Sequence, residues 1–200
     1  MHIVCLDLEG VLFPEVWIAF AEKTRIEELR LTTRDISDYS VLMQHRIKVL
    51  REHNLKLTDI QDVISCMKPL EGAVDFLNTL REKTQVIILS DTFTQFAKPI
   101  MEMLGWPTIF CNELEIDHDG YVCGFKLRQE DGKKQAVRAL KSLNYKVYAS
   151  GDSYNDTTML AEADRGFFFR PPEKIISEFP DFPVAREYDE LLNLLKPYIS

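Results

Sequence analysis

The sequence predicts a three-layer α/β fold, in which a parallel β-sheet lies between helices and carries an inserted all-helical segment. Apolar runs typical of buried strands alternate with helical segments from Gly72 onward, as expected for parallel strands joined by right-handed crossovers. From Glu15 to Met67, by contrast, the chain has a helical period and contains no glycine. Three of the strand-like runs end in polar residues, at the edge where such sheets bind ligands.

The first strand and the helical segment after it predict that the chain is divided into a sheet-containing core and an inserted helical cap. Residues 3–8 are apolar except for Asp7 near the carboxyl end, a pattern typical of a buried strand. The helical segment that follows contains three stretches of periodic apolar residues, which begin near Trp17, Val41 and Ile60. The run 68–72 breaks this composition with a proline and a glycine, where the chain would return to the sheet. We therefore predict a core of residues 1–13 and 69–200 and a helical cap of residues 14–68.

The remaining elements alternate along the second half of the chain. Strands are predicted at residues 85–89, 108–111, 146–149 and 166–169. Helices are predicted at residues 73–83, 94–104, 133–143, 156–163 and 188–195. A hairpin is predicted around Asp117-His118-Asp119-Gly120, with short strands at residues 114–116 and 121–123 on either side, since Asp-Gly is typical of tight turns. We expect His118 to be a solvated turn residue.

Composition excludes several classes of function. The 200 residues are 46% apolar, enough for a full core, and the net charge of −8 argues against nucleic-acid binding. No apolar stretch approaches the ~20 residues of a membrane span, and neither glycine-rich nucleotide motif occurs. The four cysteines lie in apolar runs without a C-x-x-C pair, so we expect reduced core residues in a cytoplasmic protein. The sequence is compatible with a homodimer.

Polar side chains at the ends of three strand-like runs are predicted to meet at one edge of the sheet. Asp7 ends the first run, and Ser90 and Asp91 follow the second. Asp152 follows the third run, which ends at Ala149. A single acid in the position of Asp7 would most often cap a turn or a helix. Because the three run ends converge, we interpret Asp7 as a candidate nucleophile.

The acidic residues of this edge predict a metal site. Asp7, Glu9 and Asp152 would lie close together, and Asp156 would join them one helical turn later. Carboxylates that are ionised together raise one another's pKa unless a cation compensates. A hard divalent ion with oxygen ligands meets that need, so the sequence predicts Mg²⁺.

Lys133 indicates an anion at the same place. It lies in the first turn of a predicted helix, where a positive charge opposes the helix dipole. It could point into water, or it could bind an anion together with the helix terminus. With the hydroxyl of Ser90 beside it, the second interpretation predicts a phosphate site and hence phosphoryl transfer. Asp7 would attack phosphorus, and Glu9 would protonate the leaving alkoxide and then activate the acceptor.

Four motifs resemble those of the haloacid dehalogenase superfamily. They are Asp7-Leu8-Glu9-Gly10-Val11, Ser90, Lys133 and Gly151-Asp152-Ser153-Tyr154-Asn155-Asp156, in the order and spacing of that family. The helical segment after the first motif resembles the family's inserted cap. The chain is similar to the phosphoserine phosphatase branch, and most similar to bifunctional members that also transfer the phosphoryl group from phosphoserine to homoserine. The resemblance implies a Rossmann-like core and small-molecule substrates.

The resemblance also implies roles for the residues of the motifs. Asp7 would be the nucleophile and Glu9 the acid and base. Mg²⁺ would be bound by Asp7, the backbone carbonyl of Glu9 and Asp152. Ser90 and Lys133 would bind phosphate.

Further substrate contacts are implied only by the resemblance. Glu15 would bind the ammonium group of the substrate and Arg46 its carboxylate, which suits the charge and geometry of these side chains. Asn155 would be an additional contact. Without the resemblance, Glu15 and Arg46 would be interpreted as solvated helix charges.

Two residues depart from the family pattern. Glu9 replaces the usual aspartate and is one methylene longer. Asp91 follows Ser90 where glycine is usual, which adds a carboxylate near the phosphate. Our hypothesis is that Asp91 contacts an amino group of the donor or acceptor and favours transfer to an amino alcohol over hydrolysis.

Two other functions are compatible with the sequence. A phosphoacceptor signalling domain also places an aspartate and a lysine at strand ends around Mg²⁺, but it needs neither the helical insertion nor the acid chemistry of Glu9. A phosphatase of the same fold could act on sugar phosphates or nucleotides, and the cap would decide between these substrates.

Overall fold

One mixed sheet forms the centre of the structure, a computed structural model that describes residues 1–33, 35–36 and 38–199. Over these residues the strands are β1 (His2–Leu6), β2 (Gln85–Phe93), β3 (Thr108–Ile116), β4 (Val122–Lys126), β5 (Lys146–Gly151), β6 (Arg165–Phe169) and β7 (Val184–Ala185). Their order is β4-β3-β2-β1-β5-β6-β7, and every neighbouring pair is parallel except β3 and β4. The sheet confirms the predicted α/β fold.

Helices alternate with the strands along the described chain. They are α1 (Val16–Thr24), α2 (Tyr39–Glu52), α3 (Leu57–Cys66), α4 (Ala73–Arg81), α5 (Thr94–Met103), α6 (Gly132–Ser142), α7 (Thr157–Glu162), α8 (Glu173–Glu178) and α9 (Tyr188–Ile199). Within the residues that the structure describes, none of these helices has the length and apolar composition needed to cross a membrane.

The strands bury both of their faces, because successive side chains alternate between the two sides of the sheet. In β1, Ile3 and Cys5 pack in an apolar cluster with α6, α7 and α8. Val4 and Leu6 pack instead with α4, α5, α9 and residues of α1 to α3. The three consecutive phenylalanines of β6 divide in the same way and are at most 1% exposed, which confirms the predicted buried strand.

The segment predicted as a cap is helical and rests on the core. It contains α1, α2, α3 and a short 3-10 helix at Glu27–Arg30, and its described residues include no named strand. The backbone N–H of Leu70 donates to the carbonyl of Leu12 at 3.0 Å, so the two ends of the segment meet. The ring of Trp17 packs edge-on against Phe96 of α5, with the ring centroids 5.9 Å apart. The helices of this segment therefore share an apolar cluster with the sheet.

The predicted hairpin joins β3 to β4 and contacts α2 and α3. Its turn uses Gly120 at φ +88°, a conformation that favours glycine. The carbonyl of Gly120 accepts the N–H of Leu57 at 3.0 Å, and Arg51 pairs with Asp117 at 2.8 Å. His118 is exposed. The hairpin thus supports the helical segment on the side of α2 and α3.

Some element boundaries differ from the predicted ones. β3 runs to Ile116 and so includes the short strand expected before the hairpin. The helix expected at 156–163 begins as a 3-10 turn, Tyr154–Asp156, before α7. α8 and β7 were not predicted, because elements of six and two residues are too short to show a period.

The prediction that all four cysteines are core residues was wrong. All four are free thiols, but only Cys5 is buried. Cys66 ends α3 and Cys123 lies in the edge strand β4, and both are exposed, while Cys111 is intermediate. Apolar neighbours in the sequence do not ensure burial here, because a helix end and an edge strand each present one face to solvent.

Tyr188 provides a test of how α9 packs on the sheet. Its ring stacks on Phe76 and Phe169 at 4.9 and 4.7 Å, and its hydroxyl donates to the buried carbonyl of Val11 at 2.7 Å. We expect Tyr188→Phe to lower the free energy of unfolding by about 1–2 kcal/mol, because that carbonyl loses its donor. Tyr145→Phe, which removes an exposed hydroxyl, should change it by less than about 0.5 kcal/mol. Equal losses in urea unfolding of the two variants would contradict this expectation.

Candidate active site

The register of three neighbouring strands brings the predicted site residues together. β1 pairs with β2 on one side and with β5 on the other. Asp7 follows β1, and its N–H donates to the carbonyl of Ser150 in β5 at 2.9 Å. Ser90 and Asp91 lie in β2 beyond its last pairing with β1, and Asp152 follows β5. The carboxyl edge of the sheet therefore collects these polar groups, as expected.

The ammonium group of Lys133 is surrounded by carboxylates. Its Nζ lies 2.8 Å from Oδ1 of Asp7 and 2.7 Å from Oδ1 of Asp156. A third carboxylate, that of Asp91, lies 3.7 Å away. The side chain of Lys133 is only 4% exposed, although it belongs to the first turn of α6. The structure thus excludes the interpretation of Lys133 as a lysine that points into water.

The loop after β5 is held by Asp156 and packs against a glycine. One oxygen of Asp156 accepts the N–H groups of Asp152 at 3.0 Å and Ser153 at 3.1 Å. Gly10 faces the carboxylate of Asp152, and a Cβ at Gly10 would lie 2.5 Å from it. Gly10 also has φ +82°. Only glycine therefore lets the loop after Asp7 approach Asp152 this closely.

Asp7, Asp152 and Asp156 form a buried acidic cluster. Each offers a carboxylate oxygen, and the three oxygens lie within 4.8 Å of one another. Burial raises the pKa of Asp7 and the neighbouring Asp156 raises it further, while Lys133 opposes the rise. Hard oxygen donors at this spacing fit a divalent cation, which would keep the carboxylates ionised. The cluster includes two of the predicted metal ligands, while the third, the carbonyl of Glu9, stays a prediction.

Glu9 lies in the loop after β1, two residues beyond Asp7, and its side chain reaches the start of α1 and not the three aspartates. Its carboxyl group accepts the N–H of Val16 at 2.9 Å and shares a hydrogen bond with the side chain of Glu15. Burial raises the pKa of Glu9 to about 8, with a further rise from the charge of Glu15. At neutral pH Glu9 therefore carries a proton that it can donate.

Arg46 is a buried cation with an unused donor. It is 6% exposed, its guanidinium lies 4.5 Å from the centre of the Trp17 ring, and it donates to the carbonyl of Leu31 at 2.8 Å. Burial lowers the pKa of Arg46 to about 10, so it stays protonated at neutral pH. Its Nε has no hydrogen-bond partner among the described residues. A buried, protonated donor of this kind suits the carboxylate of a ligand.

Asp91 and Asn155 contact each other at the more open side of the site. The Nδ2 of Asn155 donates to Oδ2 of Asp91 at 2.9 Å, and its Oδ1 accepts from the hydroxyl of Ser153. Both ends of the Asn155 amide are thus occupied by protein groups. The side chain of Asp91 is 39% exposed. Ser90, by contrast, is buried, and its Oγ accepts the N–H of Thr92 at 3.2 Å.

Tyr39 is a site residue that the motifs did not reveal. It begins α2 after the N-cap residue Asp38, and its hydroxyl donates to the backbone carbonyl of Asp91 at 2.9 Å. Burial raises the pKa of Tyr39 and the charge of Asp91 raises it further, so the hydroxyl stays a donor. Tyr39 precedes Arg46 by two helical turns, which places both on one face of α2. That spacing from a predicted substrate residue was the signal that could have identified it.

Comparison with known proteins identifies the family. A model of the haloacid dehalogenase-like hydrolases matches residues 1–164. The chain belongs to this family. It is 60% identical over 191 residues to phosphoserine phosphatase ThrH of Pseudomonas aeruginosa, covering 96% of this chain and 93% of that protein.

Solved structures of phosphoserine phosphatases share the fold. A crystal structure in apo form has a TM-score of 0.79 at 22% identity and covers 100% of this chain and 99% of that chain. A phospho-aspartyl intermediate analogue has a TM-score of 0.76 at 21% identity with the same coverage. The family match confirms the resemblance drawn from the four motifs. Which residues bind metal and substrate stays a prediction.

Glu9 leads to a pH-dependent prediction for the metal-free protein. Its carboxyl group has a pKa of about 8 in the folded protein and its ordinary pKa of 4.5 in the unfolded chain, so the folded protein holds the proton more tightly. The folded state should therefore lose stability as the pH rises from 4.5 to about 8. Glu9→Gln removes this titration, so its free energy of unfolding should gain about 4 kcal/mol relative to wild type between about pH 5 and about pH 9.

The measurement is denaturant unfolding at both pH values with a chelator present. Glu22→Gln, which removes an exposed carboxylate on α1, is the matched control and should follow the wild type. Parallel pH profiles for Glu9→Gln and the wild type would contradict the raised pKa of Glu9.

Proposed function

We propose that this chain is a Mg²⁺-dependent phosphoserine phosphatase that works through an aspartyl-phosphate intermediate and also transfers the phosphoryl group from phosphoserine to homoserine. Residues 14–68 would form a cap over a core of residues 1–13 and 69–200. The observation that carries the proposal is the buried contact of Asp7 with Lys133 at the carboxyl edge of the sheet. The 60% identity to a phosphoserine phosphatase supports the choice of substrate.

Asp7 is the nucleophile of the first step in this proposal. A carboxylate oxygen of Asp7 bonds to phosphorus while the bond from phosphorus to the serine oxygen breaks. Lys133 lies 2.8 Å from Asp7, and with Ser90 it would bind the phosphoryl oxygens and offset their charge. When bound by Asp7, the carbonyl of Glu9 and Asp152, Mg²⁺ would supply further charge neutralisation at the phosphoryl group.

Glu9 is the acid and then the base. Its pKa of about 8 supports a proton on Glu9 at the start, which passes to the leaving oxygen of serine. The resulting carboxylate takes a proton from water or from the hydroxyl of homoserine. The oxygen of that acceptor bonds to phosphorus and the bond to Asp7 breaks, which restores the enzyme.

Two charged residues of the cap segment support an amino-acid substrate. The buried Arg46 has a free Nε donor, which suits the α-carboxylate of phosphoserine or homoserine. Glu15, which hydrogen-bonds to Glu9, would bind the ammonium group. A sugar phosphate or a nucleotide offers no carboxylate to Arg46, so this arrangement favours phosphorylated amino acids.

Asp91 and Asn155 complete the proposed substrate contacts. The partly exposed carboxylate of Asp91 lies next to Lys133 and uses one oxygen for Asn155. Its other oxygen suits the ammonium group of a donor or acceptor, which would favour transfer to an amino alcohol over hydrolysis. Asn155 would contact the substrate by giving up its present bond to Asp91.

A phosphate-release screen with Mg²⁺ tests the activity and its substrate class. We expect phosphoserine to react fastest, phosphoethanolamine to react more slowly because it lacks the carboxylate, and O-phosphohomoserine to form when homoserine is added. Asp7→Asn should lower kcat at least about a thousandfold, because the nucleophile is lost. Asp119→Asn, in the exposed hairpin turn, is the matched control and should keep wild-type activity.

Each other outcome of the screen favours a different function. Retained turnover in Asp7→Asn would exclude the covalent intermediate at this residue. A sugar phosphate or nucleotide as the best substrate would favour the same-fold phosphatase. Stoichiometric phosphorylation without sustained release would favour the phosphoacceptor domain.

The role of Asp91 is tested by the choice of acceptor. Asp91→Asn keeps an oxygen for Asn155 but removes the charge, so transfer to homoserine should fall about tenfold relative to hydrolysis. Transfer to γ-hydroxybutyrate, which lacks the amino group, should keep its wild-type ratio. The ratios come from the two phosphorylated products and free phosphate. An unchanged homoserine ratio in Asp91→Asn or Asp91→Gly would exclude an amino contact.

A further inference from the structure

The residues of the predicted phosphoryl site are buried in this structure. Asp7, Ser90 and Lys133 are each less than one-tenth exposed, although they lie at an edge of the sheet. A substrate or a water molecule therefore reaches them only where the neighbouring segments leave or open a path. Contacts between the predicted cap segment and this edge of the sheet therefore bear on which acceptor enters.

One of these contacts lies directly at the site. The hydroxyl of Tyr39 donates to the carbonyl of Asp91, which is the residue after Ser90. The same carbonyl accepts Nδ2 of Asn112 at 3.2 Å, so the acceptor is fixed from the sheet side. The ring of Tyr39 packs edge-on against Phe125 of β4 at 6.1 Å. Tyr39 thus joins a cap helix to the tips of two strands.

The position of Tyr39 within α2 extends its effect to a second site residue. Asp38 caps the helix by accepting the N–H groups of Ser40 and Val41, which sets the first turn. Arg46 follows Tyr39 by two turns on the same rigid helix. Holding Tyr39 against β2 therefore also holds the guanidinium of Arg46 in place. This guanidinium is the group proposed to donate hydrogen bonds to the carboxylate of the substrate.

Other polar contacts of α2 and α3 with the core lie away from the phosphoryl site. Arg51 and Leu57 contact the hairpin between β3 and β4. Gln61 donates to the carbonyl of Gln95 at the start of α5. Loss of the Tyr39 hydrogen bond would thus leave the far attachments of the cap intact and loosen it at the catalytic edge.

We propose that the hydrogen bond from Tyr39 to the Asp91 carbonyl is a clasp that holds α2 over the phosphorylated Asp7 and limits the entry of water. Tyr39 thereby sets how the phosphoryl group divides between water and an alcohol acceptor. This inference rests on the proposed function. With either acceptor, its oxygen bonds to phosphorus, the bond to Asp7 breaks and the acceptor proton passes to Glu9. Tyr39 takes no part in these bond changes and is a positioning residue.

Tyr39→Phe tests the clasp, because it removes the hydroxyl and keeps the ring contact with Phe125. Hydrogen exchange of the full-length protein without substrate should become about fivefold faster in the first turns of α2, a change that corresponds to loss of one hydrogen bond. Tyr145→Phe, whose hydroxyl bonds an exposed side chain elsewhere, is the matched control and should exchange like the wild type. Equal exchange in α2 of Tyr39→Phe and the wild type would overturn the clasp.

The second measurement is the ratio of free phosphate to O-phosphohomoserine formed from phosphoserine in the presence of homoserine. Tyr39→Phe should raise this ratio about fivefold and lower the melting temperature by no more than about 4 °C, whereas Tyr145→Phe should leave the ratio unchanged. Faster exchange without a change in the ratio would overturn the control of water entry. If the wild type forms no O-phosphohomoserine, the proposed transfer to homoserine fails, and the exchange measurement alone decides whether the clasp exists.

Discussion

The ammonium group of Lys133, buried between the carboxylates of Asp7 and Asp156, is the interaction on which the site depends. A charged group removed from water costs several kcal/mol unless oppositely charged partners surround it, so the geometry of this cluster is tightly constrained. The constraint explains local features of three segments. β1 ends so that Asp7 reaches Nζ, Asp156 folds back onto the loop after β5, and α6 begins one residue before Lys133.

The same edge holds two kinds of acidic group in different environments. Asp7, Asp152 and Asp156 share a small buried volume with one lysine, and their spacing fits a divalent cation. Glu9 instead accepts a hydrogen bond from the N–H of Val16, away from these three aspartates. Burial next to Glu15 favours its protonated form. Carboxyl groups whose environments separate their pKa values can divide the work of nucleophile and acid. This division is the physical basis of the proposed reaction.

The convergence of Asp7, Ser90 and Asp152 could be predicted from the sequence, because parallel strands end at a common edge. The sequence also placed Lys133 at that edge. It did not predict that Lys133 is buried, since a lysine at the start of a helix is usually solvated. Arg46 was identified only by resemblance, because a charged residue on a helix carries no local signal of burial.

Contacts between distant segments could not be predicted in the same way. The bond of Asn155 to Asp91 and that of Tyr39 to the Asp91 carbonyl each join residues more than fifty positions apart. They depend on how α2 and the loop after β5 dock on the sheet, and hydrophobic periodicity does not specify that docking. The same limit applies to Cys66 and Cys123, whose apolar neighbours gave no sign of the exposed helix end and edge strand.

The most direct measurement of the central claim is the mass of the peptide that contains Asp7 after the enzyme is mixed with phosphoserine and Mg²⁺ and rapidly quenched in acid. The account predicts one added phosphoryl group on Asp7 during turnover, and faster loss of that group when homoserine is present. Sustained turnover with the phosphoryl group on another residue, or on none, would contradict it.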